Sequence, residues 1–248
     1  MPARESEPRF LEPLLGVVFD LDGTLVCSNH DFGRIRAAVI RAAERHGVMP
    51  GKLSVQEPVH RLVEAAREEM RTSGLPDGEF FRFEAEYTRA IDAIEMEALP
   101  RTVPRPGAAP LLAGLQRRGF RLAILTRSSE HFARAALERT GLASYFSYLR
   151  SRSTPGPAKP SADSLLLVLR EIGIPLDRAL YVGDHLIDAE TATRAQVRFY
   201  AVLPEPGEAT AATMTTDRFL AAGASAVAKD LFALAKHLGL STPVEATG

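Results

Sequence analysis

The sequence has little of what would assign a protein to a membrane, to nucleic acid or to an oxidising compartment. A single cysteine, Cys27, excludes an intramolecular disulfide framework. No stretch approaches the ~18 consecutive apolar residues of a membrane-spanning helix, and the N-terminus lacks the apolar core of a signal peptide. Lys and Arg number 30 against 31 Asp and Glu, so the net charge of −1 gives no general attraction to nucleic acid or to anionic lipid. We expect a cytoplasmic protein, monomeric or homodimeric, with no nucleic-acid or membrane partner.

The hydrophobic pattern of the first hundred residues indicates one strand followed by helices. Residues 1–13 are polar and rich in proline, which predicts a loose N-terminal tail. The apolar run at 14–21 is too short for a globular helix and is typical of a buried strand. Three amphipathic helical patterns follow without a strand between them, which predicts a small all-helical domain over 29–99.

From residue 104 onwards, helical and strand patterns alternate along the chain. The predicted strands are 120–126, 145–149, 179–183 and 197–203, and the predicted helices are 108–118, 130–140, 162–172 and 186–195. This alternation predicts an α/β core, a doubly wound parallel sheet of Rossmann-like type, formed by 14–28 and 100–248. Such sheets bind ligands beyond the carboxyl ends of their strands.

Polar side chains interrupt the apolar strands where a ligand should bind. Asp20 and Asp22 end the first strand, and Thr126 ends the second. Lys159 lies in the loop after the third strand, and Asp184 follows the fourth. Four separate segments therefore bring three acids, a lysine and a hydroxyl to one edge of the sheet, as in an enzyme active site.

The segment FDLDGTLV, residues 19–26, resembles the first motif of the haloacid dehalogenase superfamily in its phosphatase branch. The resemblance makes Asp20 a nucleophile toward phosphorus, which requires a bound cation to offset the repulsion between a carboxylate and a phosphate dianion. Asp22 can protonate the leaving alkoxide and later activate water. The dehalogenase branch lacks an acid at this position because a halide leaves without a proton, so Asp22 favours a phosphate ester as substrate.

Two further segments resemble the second and third motifs of the superfamily. In LAILTRSS, residues 122–129, the resemblance makes Thr126 a hydroxyl donor to a phosphoryl oxygen. The family often has asparagine next, where this chain has Arg127, which we also assign to substrate binding. In AKP, residues 158–160, Lys159 would span the nucleophile and the phosphate. Taken alone, Thr126 is also typical of an ordinary strand and Lys159 of a solvated loop, so these assignments depend on the motifs occurring together.

The segment YVGDHLIDAE, residues 181–190, resembles the fourth motif, which binds the metal. The resemblance implies that Asp184 is a direct Mg²⁺ ligand and Asp188 an outer or water-bridged one, alongside the Asp20 carboxylate and the Asp22 carbonyl. Asp188 alone would also fit a purely structural role, since an acid in the first turn of a helix interacts favourably with the helix dipole.

The resemblance covers nearly the whole chain and is to members of the phosphoglycolate phosphatase type. It implies a five-stranded parallel core, a helical cap that closes over small substrates, and a last strand and helix in the segment 222–239. The expected activity is Mg²⁺-dependent hydrolysis of a small phosphorylated metabolite, such as phosphoglycolate or a sugar phosphate, through an aspartyl-phosphate. A phosphomutase similar to β-phosphoglucomutase shares all four motifs and is the main alternative. Loss of a motif acid would favour a catalytically silent binding module, and none is lost.

Overall fold

The structure, a computed structural model, describes residues 14–205 and 212–240 and divides the chain into two compact units. Met1–Ser28 and Thr102–Gly248 form the α/β unit, and Asn29–Arg101 form the helical unit. The tail predicted over the first thirteen residues lies outside the described residues. Within the described ranges, no helix is both long and apolar enough to cross a membrane.

The α/β unit is built on a parallel sheet of six strands. Its strands are β1 Gly16–Phe19, β4 Arg121–Leu125, β5 Tyr148–Arg150, β6 Ala179–Gly183, β7 Arg198–Val202 and β8 Ala226–Ala228, and their order across the sheet is β5-β4-β1-β6-β7-β8. Two short strands, β2 Val26–Cys27 and β3 Val103–Pro104, form a separate antiparallel pair. The predicted fold class is confirmed, but the five-strand count was wrong, because the AVA segment of β8 pairs in parallel with β7 and adds a sixth strand.

Helices cover both faces of this sheet, which explains why the sequences of its strands are nearly continuous apolar runs. They are α4 Ala108–Arg117, α5 Glu130–Arg139, α6 Ala162–Glu171, α7 Leu186–Ala195, α8 Thr216–Ala221 and α9 Leu231–His237. Along β1, Val17 and Phe19 pack into one hydrophobic cluster and Val18 packs into the other, and all three are fully buried. The sheet is therefore held in place from both sides, and polar groups are concentrated where its strands end.

The helical unit contains α1 Phe32–Arg45, α2 Val59–Thr72 and α3 Asp77–Ala98. Asp31 is the N-cap of α1, since its side chain accepts the Arg34 N–H at 2.9 Å. The apolar faces of the three helices pack together around Phe83, whose ring centroid lies 4.8 Å from that of Tyr87. The prediction of an all-helical insertion is confirmed.

Candidate active site

Three acids meet at the carboxyl edge of the sheet. Asp20 directly follows β1 and Asp184 directly follows β6, and these strands are neighbours that end at the same edge. The Asp20 N–H donates to the Val182 carbonyl at 2.8 Å, which fixes the loop after β1 against β6. Asp20, Asp184 and Asp188 each offer a carboxylate oxygen within 4.8 Å of the others, and all three residues are buried. This acidic cluster is the centre of the site.

Two glycines allow the acids to pack directly against the backbone. A Cβ atom added to Gly183 would lie 2.5 Å from Cγ of Asp188. Gly23 has a φ of +83°, and a Cβ there would overlap the Asp184 carboxylate. A side chain at either position would therefore push an acid out of the cluster.

Lys159 places a buried positive charge inside the acidic cluster. Its Nζ lies 2.8 Å from Oδ1 of Asp20 and 2.6 Å from Oδ1 of Asp188, and the residue is 3% exposed. The same Asp188 oxygen accepts the Tyr181 hydroxyl at 2.7 Å, and Asp188 Oδ2 accepts the His185 N–H at 3.1 Å. Asp188 is therefore hydrogen bonded at both oxygens, and it holds Lys159 against Asp20.

Burial and mutual repulsion make the cluster costly to ionise completely. Burial raises the pKa of the Asp20 carboxyl from 3.8 to about 7; the charge of Lys159 opposes this shift, and that of Asp188 adds to it. Burial also raises the pKa of Asp184 well above its ordinary value, with contributions from the charges of Asp20 and Asp188. One lysine does not neutralise three carboxylates. The residues therefore fit a hard divalent cation such as Mg²⁺, which prefers carboxylate oxygens and would offset the excess negative charge.

We expect Mg²⁺ to raise the melting temperature more at about pH 8 than at about pH 6. Because the folded-state pKa of Asp20 lies above its unfolded value, the metal-free protein loses stability as pH rises through about 7. A cation that binds the ionised carboxylates reverses this loss. Thermal unfolding with and without excess MgCl₂ measures the effect, with KCl of equal ionic strength as the control. An equal gain at both pH values would contradict the expectation.

The Asp22 carboxylate lies outside the acidic cluster. Its Oδ1 accepts the Ser28 hydroxyl and, at 3.2 Å, the Ser28 N–H, and the residue is partly exposed. The structure thus separates the two acids of the first motif: one is buried among the candidate metal ligands and the other faces a hydroxyl. That separation suits a proton donor better than a metal-binding carboxylate.

Thr126 and Arg127 occupy the end of β4, the strand on the other side of β1. Thr126 is buried, and its Oγ1 accepts the Ser128 N–H at 3.1 Å. The Arg127 guanidinium donates to the carbonyl of Lys159, which ties this loop to the loop that carries the lysine. Their assignment to substrate binding stays a prediction.

Sequence reasoning missed three residues that support the acids. The Thr24 hydroxyl donates to Oδ1 of Asp184 at 2.6 Å, while Ser28 binds Asp22 and Tyr181 binds Asp188 as described above. Thr24 belongs to the quoted first motif, and its hydroxyl beside two acids was an available signal. Tyr181 gave no signal, because a tyrosine in an apolar strand is typical of a hydrophobic core.

Comparison with known proteins places this site in a family. Residues 14–196 match the profile of the haloacid dehalogenase-like hydrolases, and the chain belongs to that family. It is 31% identical over 216 residues to a phosphoglycolate phosphatase from Rhodospirillum rubrum, which covers 84% of this chain and 88% of the relative. It is 29% identical over 195 residues to an N-acetylmuramic acid 6-phosphate phosphatase from Pseudomonas aeruginosa, covering 76% and 81% of the two chains. The predicted family and the predicted enzyme class, a haloacid dehalogenase-like phosphatase, are confirmed.

The fold itself is shared with a solved structure. A crystal structure of a hydrolase from Pseudomonas syringae superposes with a TM-score of 0.65 at 22% sequence identity, over 91% of this chain and 98% of that chain. This likeness supports the α/β core with its helical insertion.

Proposed function

We propose that the protein is a Mg²⁺-dependent phosphatase that hydrolyses a small phosphorylated metabolite through an aspartyl-phosphate on Asp20. The observation that carries the proposal is the contact of the buried Lys159 ammonium with the Asp20 carboxylate at 2.8 Å, inside a cluster of acids at the edge of the sheet. A carboxylate held in this way is oriented, largely desolvated and flanked by a positive charge. These are the conditions under which it can attack a dianionic phosphate group.

The candidate metal ligands differ in how free their oxygens are. Asp20 and Asp184 would hold the cation through their carboxylates, together with the carbonyl of Asp22. Asp188 would take an outer position, since both of its oxygens already accept protein hydrogen bonds. When bound, Mg²⁺ would offset the charge of the nucleophile and of the phosphate, acting as a Lewis acid.

The residues of the chain account for both halves of the reaction. An Asp20 oxygen forms a bond to phosphorus while the bond from phosphorus to the leaving oxygen breaks, and protonated Asp22 gives that oxygen its proton. The Asp22 carboxylate then takes a proton from a water molecule that attacks phosphorus and releases Asp20. Lys159 and the Thr126 hydroxyl stabilise the charge on the phosphoryl oxygens in both steps.

The domain assignment is part of the proposal: residues 29–99 form a cap that selects the organic part of the substrate. The way the chain leaves the α/β unit supports it. β2 begins four residues after Asp22 and pairs with β3, Cys27 opposite Val103, so both links to the insertion start beside the loop that carries the proton donor. The names of the relatives support small substrates, a phosphoglycolate in one and a phosphorylated amino sugar acid in the other.

A panel of phosphate esters tests this function. With excess Mg²⁺ we expect at least one small metabolite, phosphoglycolate and sugar 6-phosphates among those tested, to release phosphate with kcat/KM on the order of 10⁴ M⁻¹ s⁻¹ or more. A phosphopeptide should be at least roughly 100-fold poorer, because a capped site excludes large substrates. Isomerised sugar phosphate without phosphate release would indicate the phosphomutase alternative. No turnover of any ester, with or without metal, would indicate a silent binding module.

A further inference from the structure

Arg105 is a fully buried cation that no step of the proposed reaction uses. It follows β3 directly, and its side chain is 0% exposed. The guanidinium donates to the Gly23 carbonyl through one terminal nitrogen. Through the other it donates to the Leu203 carbonyl at 3.0 Å and to the Glu205 carboxylate at 2.9 Å. One side chain therefore links the loop after Asp22 to the segment that follows β7.

Packing alone does not account for an arginine at this place. A buried guanidinium loses its hydration, and the Nε of Arg105 has no hydrogen-bond partner among the described residues. Its ionic partner Glu205 is 38% exposed, which weakens the attraction through solvent screening. A methionine could fill a similar volume without this cost. The hydrogen bonds that Arg105 makes are therefore the feature that needs a function.

The carbonyl that Arg105 binds belongs to the turn that carries Asp22. On the other side of this turn the Gly23 N–H donates to the Val26 carbonyl at 2.8 Å. The turn also lies against Asp184, where only a glycine fits. The backbone N–H of Arg105 donates to the Leu25 carbonyl at 2.9 Å, so backbone and side chain of the arginine hold the same loop. Loss of the guanidinium would free the carbonyl side of the turn directly after Asp22.

We propose that Arg105 is a positioning residue that fixes the Gly23 carbonyl and thereby keeps the Asp22 carboxylate in place to protonate the leaving oxygen. This inference rests on the proposed function, in which Asp22 is the proton donor. It assigns Arg105 no contact with the substrate.

A comparison of two substrates with different leaving groups distinguishes this positioning role from a merely structural one. An alkoxide needs a proton in order to leave, whereas a dinitrophenolate leaves without one. In kcat/KM, which reports the steps up to departure of the leaving group and not the later attack of water, a defect that acts through Asp22 is therefore large for an alkyl phosphate and small for 2,4-dinitrophenyl phosphate. We expect Arg105→Met to lower kcat/KM roughly 10- to 100-fold for the best alkyl phosphate and less than about 3-fold for the dinitrophenyl ester. Arg105→Lys, which keeps the charge but not the planar fork, should show the same selectivity to a smaller extent.

Two other variants make the result decisive. Glu205→Gln removes the ionic partner but leaves the bond to Gly23, so kcat/KM for both esters should stay within about 3-fold of the wild type. Asp22→Asn sets the reference, with an expected loss in kcat/KM of roughly 10²- to 10⁴-fold for the alkyl ester and little for the dinitrophenyl ester, while kcat falls for both because Asp22 also activates the attacking water. Each assay is run below the melting temperature of its variant, and Arg105→Lys is the test if Arg105→Met does not fold.

An equal loss of kcat/KM for both esters in the Arg105 variants, with a selective loss in Asp22→Asn, would overturn the role of Arg105 alone. A loss without selectivity in Asp22→Asn would instead overturn the assignment of Asp22 on which the inference rests.

Discussion

Asp20→Asn is expected to lower kcat by more than about 100-fold, a loss of over roughly 2.7 kcal/mol of transition-state stabilisation. An amide nitrogen or oxygen cannot replace the carboxylate as a nucleophile toward phosphorus. The fold should persist, because the side chain keeps its shape and the change removes one of three mutually repelling acids. The measurement is kcat with the best metabolite, together with acid-quenched trapping of the phosphoenzyme, which should appear in the wild type only.

The matched control for this variant is Asp163→Asn, the same change at an exposed acid in the first turn of α6. It should keep kcat within about 2-fold of the wild type, since surface substitutions seldom have large effects. Asparagine beside the site can revert to aspartate, so mass spectrometry must show the Asp20→Asn sample to be intact. More than about 1% of wild-type kcat in an intact sample would refute the nucleophile assignment.

Lys159→Met should impair activity and stability together. The substitution leaves the buried oxygens of Asp20 and Asp188 without the cation that lies 2.8 and 2.6 Å from them. Breaking a buried ion pair by removing one partner costs about 3–5 kcal/mol of unfolding free energy, and losing a charge that contacts the phosphate costs roughly 10²- to 10³-fold in kcat. Urea unfolding of metal-free protein and steady-state kinetics with Mg²⁺ measure the two effects separately.

The stability deficit of this variant should shrink as the pH falls. Without Lys159 the folded-state pKa of Asp20 rises further above its unfolded value, so protonation of the folded protein relieves the repulsion. The matched control is Lys229→Met at a lysine whose side chain is 81% exposed, where a change within about 0.5 kcal/mol is expected. If the two variants behaved alike in activity and in stability, the ion pairs of Lys159 would contribute to neither.

The part of the site that the sequence predicts is the part set by strand ends. Parallel strands end at one edge, so acids placed after two predicted strands could be expected to meet, and the structure brings Asp20 and Asp184 together with Asp188. Lys159 was placed in the right loop by its motif, but its contact with both carboxylates depends on the path of the loop. The catalytic roles of these residues stay predictions.

The hydrogen bonds that support the acids could not be predicted, because their partners are far apart in the sequence. Thr24 and Asp184 are separated by 160 positions, and the periodicity of hydrophobic residues does not indicate that two such distant residues are in contact. Arg105 lies between two prolines, in a segment whose sequence is typical of a loop. Only the structure shows that its side chain is buried. The same limit applies to the fold: α8 has six residues, too few to show a repeating pattern, and β8, which has three, was expected only from the family resemblance of residues 222–239.

The hydrogen bonds around Asp188 also bear on how this site could be redesigned. Three donors, from Lys159, Tyr181 and the backbone of His185, saturate its carboxylate before any ligand arrives. The reorganisation needed to aim the lysine is therefore completed during folding and does not slow each turnover. If Asp20 alone were replaced in a redesign, Lys159 would still be held in its present position by Asp188. Tyr181 and Asp188 would have to be redesigned with it, so the unit of functional change here is the whole hydrogen-bonded set.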